Sequence, residues 1–236
     1  MRAGNSGPYT LSGTNSWIVG RDPAYVIDPG PAAPEHVEAL LAQIDARGGA
    51  AAILLTHDHP DHAEAAPLVR ERTGAPLAAI GSGADLVLAD GDAVGPLSVI
   101  ATPGHAADHA VFLLGRVCFA GDLVLGSGSV VISPEPGSLE AYMASLARLR
   151  ALDLELIAPG HGPVVTDPAA KLDKYVAHRL ERERQVLAAL DEGLREREEL
   201  LDRVWPGIPP ELRGGAAATL AATLDKLAAE GRLPQP

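Results

Sequence analysis

The sequence has a single cysteine in 236 residues, Cys118. One cysteine cannot form an intramolecular disulfide, and it cannot supply a zinc site built from several thiolates. Any transition metal bound by this chain would therefore be held by imidazole and carboxylate groups. Because Cys118 lies in an apolar stretch before Asp122, we expect it to be a small buried side chain with no ligand or nucleophile role.

Positive charge and aromatic side chains are both scarce. The formal net charge is −12 at pH 7, and aromatic residues make up 3% of the chain. Non-specific binding to a phosphate backbone needs clustered Lys and Arg, and binding to single-stranded bases needs stacking rings. The composition disfavours both, although it is compatible with a local basic patch.

Long uncharged hydrophobic runs are absent as well. No stretch of eighteen apolar residues occurs, and the N-terminal segment MRAGNSGPYTLSGTNSW has no apolar core of signal-peptide length. We therefore expect a cytoplasmic protein that does not enter a membrane. The hydrophobic fraction of 47% is enough for one large core, and the sequence does not indicate an oligomeric state.

What is present is an alternation of short apolar runs and amphipathic helices, which indicates an α/β fold. Predicted strands cover residues 16–19, 25–28, 52–56, 77–80, 97–101, 110–114, 117–120 and 154–158. Predicted helices cover residues 34–47, 63–72, 139–149 and about 167–194. Two short helices are expected around the turn WPGIPPEL. We divide the chain into a core (1–166), a covering helix (167–194) and a small C-terminal module (195–236).

Four residues that can bind metals follow one of these strands within six positions. The segment ILLTHDHPDH contains His57, His59, Asp61 and His62. A loop at the end of a strand can fold such residues around one point. Neutral imidazole and ionised carboxylate suit Zn²⁺, Fe²⁺ or Mn²⁺, and a water in an open coordination position becomes a nucleophile near neutral pH.

Three more potential ligands follow other apolar strands, each directly after a glycine. They are His105 in ATPGHAADH, Asp122 in CFAGDLVLG and His161 in LIAPGHGPV. Any one of them alone would suit an exposed loop. Seven such residues in strand-end loops, in a chain with eight histidines, indicate one metal centre.

The pattern HxHxDH, followed by separate His, Asp and His motifs, resembles the metallo-β-lactamase superfamily over nearly all of residues 14–165. The resemblance implies an αββα sandwich, in which two mixed β-sheets are flanked by helices and the metals lie at one edge. It also implies two divalent metal ions. The first would be held by His57, His59 and His105, the second by Asp61, His62 and His161, and both by Asp122.

The function implied by this resemblance is metal-dependent hydrolysis by a hydroxide held at the dinuclear site. Asp61 would orient that hydroxide, so Asp61 and Asp122 are the predicted catalytic carboxylates. Zinc is the expected metal, and manganese or iron would suit similar ligands. The sequence does not identify the group that gives a proton to the leaving group.

The segments GDLVLGSGSVVI, LEAYMASLARL and KYVAHRLERERQVLAAL further resemble the β-lactamase-like protein 2 subfamily. That resemblance implies a winged-helix-like C-terminal module and, from an endoribonuclease member, an RNA-like phosphodiester substrate. A small ester remains open. The module from Arg195 onward has six Lys or Arg against seven Asp or Glu, which is not typical of a nucleic-acid reader. The expected partner of the protein is either a small-molecule or a nucleic-acid substrate.

Several other residues are candidates for supporting roles. The resemblance implies that Asp28 in YVIDPG orients the metal-binding histidines through hydrogen bonds, and the alternative is an aspartate that only begins the turn before Pro-Gly. Thr56 and His109 are in similar supporting positions. On the helix AHRLERER, His178 and Arg179 are candidates for contact with substrate, because arginine suits a phosphate or carboxylate. Tyr142 is a further substrate candidate. The alternative for the helix is a solvated face whose arginines are neutralised by neighbouring glutamates.

Three other functions remain open. A glyoxalase-II-like thioesterase would use the same ligands, but no basic glutathione-binding segment is visible. A mononuclear iron dioxygenase would need only half of the site. A non-enzymatic regulator would bind DNA through its C-terminal module and keep the metals for structure, although structural zinc sites are usually closed and sulfur-rich.

Overall fold

The computed structural model describes residues 1–81, 83–135 and 138–233. Within these residues, ten strands form two five-stranded sheets with the orders β1-β2-β3-β4-β5 and β10-β9-β8-β7-β6. Each sheet is mixed, because β1 is antiparallel to β2 in the first and β10 is parallel to β9 in the second. The strands are β1 Trp17–Gly20, β2 Ala24–Ile27, β3 Ala50–Leu54, β4 Leu77–Ala79, β5 Leu86–Val87, β6 Ala93–Val94, β7 Leu97–Ala101, β8 Ala110–Leu114, β9 Val117–Gly121 and β10 Leu156–Pro159.

Seven helices accompany the sheets within the described part of the chain. They are α1 Pro34–Asp45, α2 Pro60–Ala63, α3 Ala66–Thr73, α4 Ser138–Arg150, α5 Pro168–Asp191, α6 Arg197–Val204 and α7 Pro210–Ala229. The long helix α5 begins where the sequence favours a first turn. The side chain of Asp167 accepts a hydrogen bond from the backbone N–H of Ala170, and Pro168 occupies the first helical position.

Both faces of each sheet are apolar. Successive strand residues point to opposite faces, so neighbouring residues of one strand pack in different clusters. In the first sheet, Ile27 and Leu54 face the second sheet, whereas their neighbours Val26 and Ile53 pack against α1 and α3. In the second sheet, Phe112 faces inward, and its neighbour Val111 packs in the cluster that contains α4 and α5 side chains. The layers are therefore helix, sheet, sheet and helix, and the predicted αββα sandwich is confirmed.

A separate hydrophobic cluster lies at the C-terminal end of the chain. It joins Val186 and Leu190 of α5 to Leu201 of α6 and Leu220 of α7. The first half of α5 instead packs on the second sheet through Leu172 and Tyr175. Residues 195–233 contain two helices and no strand, so the wing of a winged-helix unit is not among the described residues.

The sequence prediction differed from the structure in a few elements. The expected second short C-terminal helix is the 20-residue α7, because its alanine-rich run strongly favours a continuous helix. The predicted strand 52–56 is β3, Ala50–Leu54, which leaves Thr56 in the following loop. The two-residue strands β5 and β6 and the four-residue α2 are too short for a periodic signal and were missed. No helix in the described residues is long and apolar enough to span a membrane.

Candidate metal centre

The seven predicted ligands lie at one edge of the sandwich, because each follows the carboxyl end of a strand. The loop after β3 leads to His57, the loop after β7 contains His105, Asp122 follows β9 directly, and His161 follows β10 by two residues. Parallel pairing of β10 with β9 brings the last two loops to the same edge. The order of the strands thus brings residues about one hundred positions apart in sequence to the same edge of the sandwich.

These side chains form three overlapping groups. Within each group the potential ligand atoms lie within 4.8 Å of one another. The groups are His57, His59 and His105; His57, His62 and Asp122; and Asp61, His62 and His161. Two groups coincide with the two predicted triads, and Asp122 lies in the group that links them.

The closest contacts are between ring nitrogens. The Nδ1 atom of His59 lies 2.9 Å from Nε2 of His57 and 3.1 Å from Nε2 of His105, and the Nε2 atoms of His62 and His161 are 3.3 Å apart. In the neutral rings of His57 and His105, Nδ1 faces Thr56 and Val131, so both Nε2 atoms are acceptors, and Nδ1 of His59 can donate to only one of them. Facing lone pairs of this kind fit a bound cation.

The carboxylates complete this donor set. The Oδ2 atom of Asp122 lies 3.3 Å from Nε2 of His161 and 3.7 Å from Nε2 of His105, and Oδ2 of Asp61 lies 3.2 Å from Nε2 of His161. The other oxygen of Asp122 is buried and forms no hydrogen bond. A buried carboxylate oxygen without a donor is unfavourable unless a cation accompanies it. Residues of this type and number suit divalent transition metals.

The two halves of the cluster differ in their electrostatics. Burial, together with the neighbouring His62, holds the pKa of His57 well below its usual range, and burial likewise lowers the pKa of His105. Burial opposes charge on His62, but the carboxylates of Asp122 and Asp28 outweigh it and raise its pKa well above the usual range. A metal ion would displace the proton that these carboxylates otherwise hold on His62.

Asp28 and Thr56 form hydrogen bonds that orient two histidines of the cluster. Oδ1 of Asp28 accepts a 2.8 Å hydrogen bond from the backbone N–H of Thr56, and its Oδ2 accepts from the Thr56 hydroxyl at 2.8 Å and from Nδ1 of His62 at 2.9 Å. The Thr56 hydroxyl in turn lies 3.0 Å from Nδ1 of His57. With Nδ1 engaged in this way, each of these imidazoles presents Nε2 to the cluster.

His109 supports the backbone of Asp122. It is fully buried, its Nδ1 lies 2.8 Å from the Thr102 hydroxyl, and its Nε2 accepts a 3.2 Å hydrogen bond from the backbone N–H of Asp122. Burial holds the pKa of His109 well below its usual range, so the neutral ring can accept this bond.

Two supporting contacts gave no signal in the sequence. Oγ1 of Thr14 donates to Oδ2 of Asp61 at 3.0 Å, and Nδ1 of His105 donates to the backbone carbonyl of Val131 at 2.8 Å. The first comes from the extended N-terminal segment, and the second from the long loop that joins β9 to α4. Neither segment has a periodic pattern, so only tertiary folding brings these groups to the cluster.

A cavity of about 650 Å³ opens beside the cluster. His59, Asp61, His105, Asp122 and His161 line one side of it. The other walls come from the N-terminal segment 8–11, the β9–α4 loop, α5, Trp205 and the first half of α7.

Of the three predicted substrate residues, His178 and Arg179 line this cavity. Tyr142 does not, and that prediction was wrong. Its side chain is fully buried, its hydroxyl donates to the carbonyl of Leu123, and its ring packs under the guanidinium of Arg179. The helical pattern of α4 turns Tyr142 toward the core.

Comparison with known proteins fits this arrangement. The family model of the metallo-beta-lactamase superfamily matches residues 9–95 and 83–161. The chain belongs to this superfamily. It is therefore a metallo-β-lactamase-fold hydrolase, and its cluster of His and Asp side chains could bind metal ions.

Two curated relatives and one solved structure illustrate the range of similar proteins. A "Beta-lactamase-like protein 2 homolog" from Caenorhabditis elegans is 31% identical over 98% of this chain and 84% of that protein. An "Atrochrysone carboxyl ACP thioesterase" from Aspergillus chevalieri is 35% identical over 81% of this chain and 65% of that protein. A metallo-beta-lactamase family protein from Thermus thermophilus superposes with a TM-score of 0.78 at 25% identity, covering 95% and 91% of the two chains. The expected resemblance to β-lactamase-like protein 2 is thereby confirmed.

Proposed function

We propose that this protein is a metal-dependent acyl hydrolase that cleaves a thioester or a small activated ester. The observation that carries this proposal is the cavity at the cluster. Apart from the metal cluster and the polar residues of α5, its lining includes Leu125, Val130, Leu212 and Ala216 and is largely apolar. An acyl chain fits such a wall better than a sugar-phosphate backbone does.

The residues of the cluster have defined roles in this proposal. His57, His59 and His105 would hold one divalent ion, Asp61, His62 and His161 a second, and Asp122 both. When bound, such ions polarise a carbonyl group and make a water more acidic. Zinc remains our expected metal, with manganese and iron as the alternatives.

Asp61 lies where its carboxylate can orient the attacking water. Its side chain is 29% exposed, lines the cavity and receives a hydrogen bond from Thr14 at Oδ2. Burial raises its pKa, but the hydrogen bond from His161 and the charge of His62 outweigh burial and lower it below the usual range. Asp61 is therefore ionised at neutral pH, and its carboxylate can accept a hydrogen bond from the attacking water and orient it.

The ion pairs of the C-terminal module disfavour RNA binding by that module. In the C-terminal module, Arg203 pairs with Glu192, Arg213 pairs with Asp202, and Lys226 pairs with Glu230. Cations that are already neutralised release few counterions from a phosphate backbone. The thioesterase name of one relative also supports an acyl substrate.

Metal content per chain and hydrolysis assays test this proposal. We expect about two divalent ions per chain and chelator-sensitive hydrolysis of S-phenyl thiopentanoate. Bis-p-nitrophenyl phosphate is expected to be cleaved far more slowly. A preference for the phosphodiester would contradict the acyl assignment and support the nuclease alternative. One iron per chain with no hydrolysis would support the dioxygenase alternative.

A matched pair of aspartate variants tests the role of the cluster. Asp122→Ala is expected to abolish both metal binding and turnover, because Asp122 contacts ligands of both predicted ions. Asp58→Ala is the control, since Asp58 lies between the ligand candidates His57 and His59 but is exposed and outside all three ligand groups. Full activity of Asp122→Ala would show that the metal mechanism is wrong.

A further inference from the structure

Two arginines of α5 lie in the cavity wall. Arg179 and Arg182 are three residues apart, so they lie on neighbouring turns of one helical face. The side chain of Arg179 is 5% exposed. Among the described residues that line this cavity, the carboxylates are Asp61 and Asp122, and both belong to the metal cluster. The arginine side of the cavity therefore has cations without acids.

Each guanidinium is fixed at one edge. Nη2 of Arg179 donates to the carbonyl of Val130 at 2.5 Å, and its guanidinium carbon lies 5.2 Å from the centroid of the Tyr142 ring. Nη1 of Arg182 donates to the side chain of Gln185 at 2.9 Å and to the carbonyl of Val204. Its guanidinium carbon lies 5.1 Å from the centroid of the Trp205 ring. These contacts hold both planes rigidly.

The second edge of each guanidinium remains available. Nη1 of Arg179 and Nη2 of Arg182 donate no hydrogen bond within 3.5 Å to any residue in the described ranges, and neither arginine forms an ion pair within 4.0 Å there. Other charged or phenolic groups that act on them include the Tyr142 hydroxyl for Arg179 and Glu181 for Arg182. Arg184 on the same helix differs, because it is exposed and pairs with Glu181. Buried cations are unfavourable unless an opposite charge accompanies them. Burial accordingly lowers the pKa of Arg182.

His178 adds a neutral polar group to this wall. Burial, followed by the charges of Arg179 and Arg182, lowers its pKa to about 4. The ring is therefore uncharged near neutral pH and can donate one hydrogen bond. Its Nδ1 lies 3.5 Å from the hydroxyl of Ser129, at the edge of hydrogen-bonding distance.

We propose that Arg179 and Arg182 bind an anionic group, a carboxylate or a phosphate, on the part of the substrate that lies away from the scissile bond. This inference rests on the proposed acyl hydrolase function, and it names the substrate class as an anionic thioester or ester. Planar guanidinium groups with a free edge match the two oxygens of such an anion.

Two thioesters of equal chain length test the inference. One is the S-phenyl monothioester of glutaric acid, which has a terminal carboxylate, and the other is S-phenyl thiopentanoate, which has none. We expect the wild-type protein to have at least about a tenfold higher kcat/KM for the carboxylate compound, through a lower KM. Equal kcat/KM values for the two compounds would overturn the inference.

Variants of Arg182 assign this preference to the arginine. Arg182→Gln is expected to reduce the kcat/KM ratio of the two thioesters by about tenfold, and Arg182→Lys to retain most of it. Arg184→Gln is the matched control on the same helix and is expected to keep the wild-type ratio. An unchanged ratio in Arg182→Gln would overturn the assignment.

A binding measurement separates failure of this inference from failure of the proposed function. Isothermal titration calorimetry with glutarate and with propyl phosphate is carried out on the metal-loaded wild-type and Arg182→Gln proteins. If neither thioester is hydrolysed, but one anion binds the wild type and binds Arg182→Gln at least about tenfold more weakly, the anion site stands and the acyl assignment falls. If thioesters are hydrolysed and neither anion distinguishes the two proteins, the anion site falls.

Discussion

Asp28 holds the base of the metal cluster through three hydrogen bonds, two to Thr56 and one to His62. It is 1% exposed, and its φ of 50° lies in the left-handed region, which the following Pro29 and Gly30 accommodate in the turn. A carboxylate is required because all three partners are donors. The residue therefore determines which nitrogen of His62 faces the metal position.

Replacing this carboxylate by an amide tests its role. Asp28→Asn keeps the size of the side chain but places an NH₂ group against a donor, so we expect zinc affinity to fall by about 10- to 100-fold. Competition with a chromophoric chelator measures this affinity. The exposed Asp45→Asn on α1 is the control. Equal zinc affinity in Asp28→Asn and the wild type would contradict the supporting role.

Cys118 is predicted to be unreactive in the folded protein. Its side chain is fully buried in the cluster between the second sheet and α4, and this burial raises the pKa of the thiol. Thiolate is the reactive form, so labelling by Ellman's reagent at pH 8 is expected to be absent in native protein. One thiol per chain should react in denaturant. Rapid labelling of native protein would show that this core opens locally.

At the level of elements, α5 connects the core to the substrate cavity through one row of side chains. Lys171, Tyr175 and Arg179 are spaced four residues apart, and they bond respectively to carbonyls of Gly126, Gly128 and Val130 in the β9–α4 loop. The carbonyl of the next residue, Val131, accepts the hydrogen bond from His105. A helix of the outer layer thus positions a predicted metal ligand, His105, through this loop.

Two adjacent glycines in α7 are expected to respond in opposite ways to alanine. A Cβ atom on Gly215 would lie 2.7 Å from Cγ2 of Val131 and 3.0 Å from Tyr9, whereas one on Gly214 would meet nothing closer than 4.0 Å. Gly214→Ala should raise the free energy of unfolding by up to about 1 kcal/mol through helix propensity. Gly215→Ala should lower it by about 1–3 kcal/mol through overpacking.

Urea denaturation of both variants measures this difference. If Gly215→Ala were as stable as Gly214→Ala, the close approach of α7 to the β9–α4 loop would be wrong. Since Gly215 also lines the cavity, we further expect Gly215→Ala to raise the KM for S-phenyl thiopentanoate.

For the whole molecule, metal removal is expected to reduce stability. The ligand atoms come from four loops on both sheets, so a metal ion that binds the folded chain couples the two halves of the sandwich. At a free metal concentration one hundred times the dissociation constant, binding stabilises the folded state by about 2.7 kcal/mol. For a chain of this size that corresponds to a fall in Tm of roughly 5–10 °C on chelation. Differential scanning calorimetry with and without EDTA measures it, and an unchanged Tm would argue against tight metal binding.

The sequence was sufficient to predict the layers of the fold and the residues that meet at the cluster. The layers followed from the resemblance to the superfamily. The meeting of residues such as His57 and Asp122 followed from their strand-end positions, because parallel strands bring their carboxyl ends to one edge. It was insufficient for Tyr142, whose direction depends on how α4 rotates against the sheet. It was also insufficient for Thr14 and Val131, because irregular segments have no periodic pattern that indicates their neighbours.

The metal ligands and the cavity walls occupy different parts of the chain. Apart from the predicted ligand side chains, the cavity is lined by residues from segments 8–11 and 125–131, from α5 and α7, and by Trp205, and none of these is in the three ligand groups. Side-chain changes in those segments can therefore alter which molecules are accepted without replacing a predicted ligand. A lineage carrying this architecture can diversify its substrates while the predicted ligands stay in place, and a laboratory library confined to Arg182, Trp205 and Leu212 would explore the same freedom.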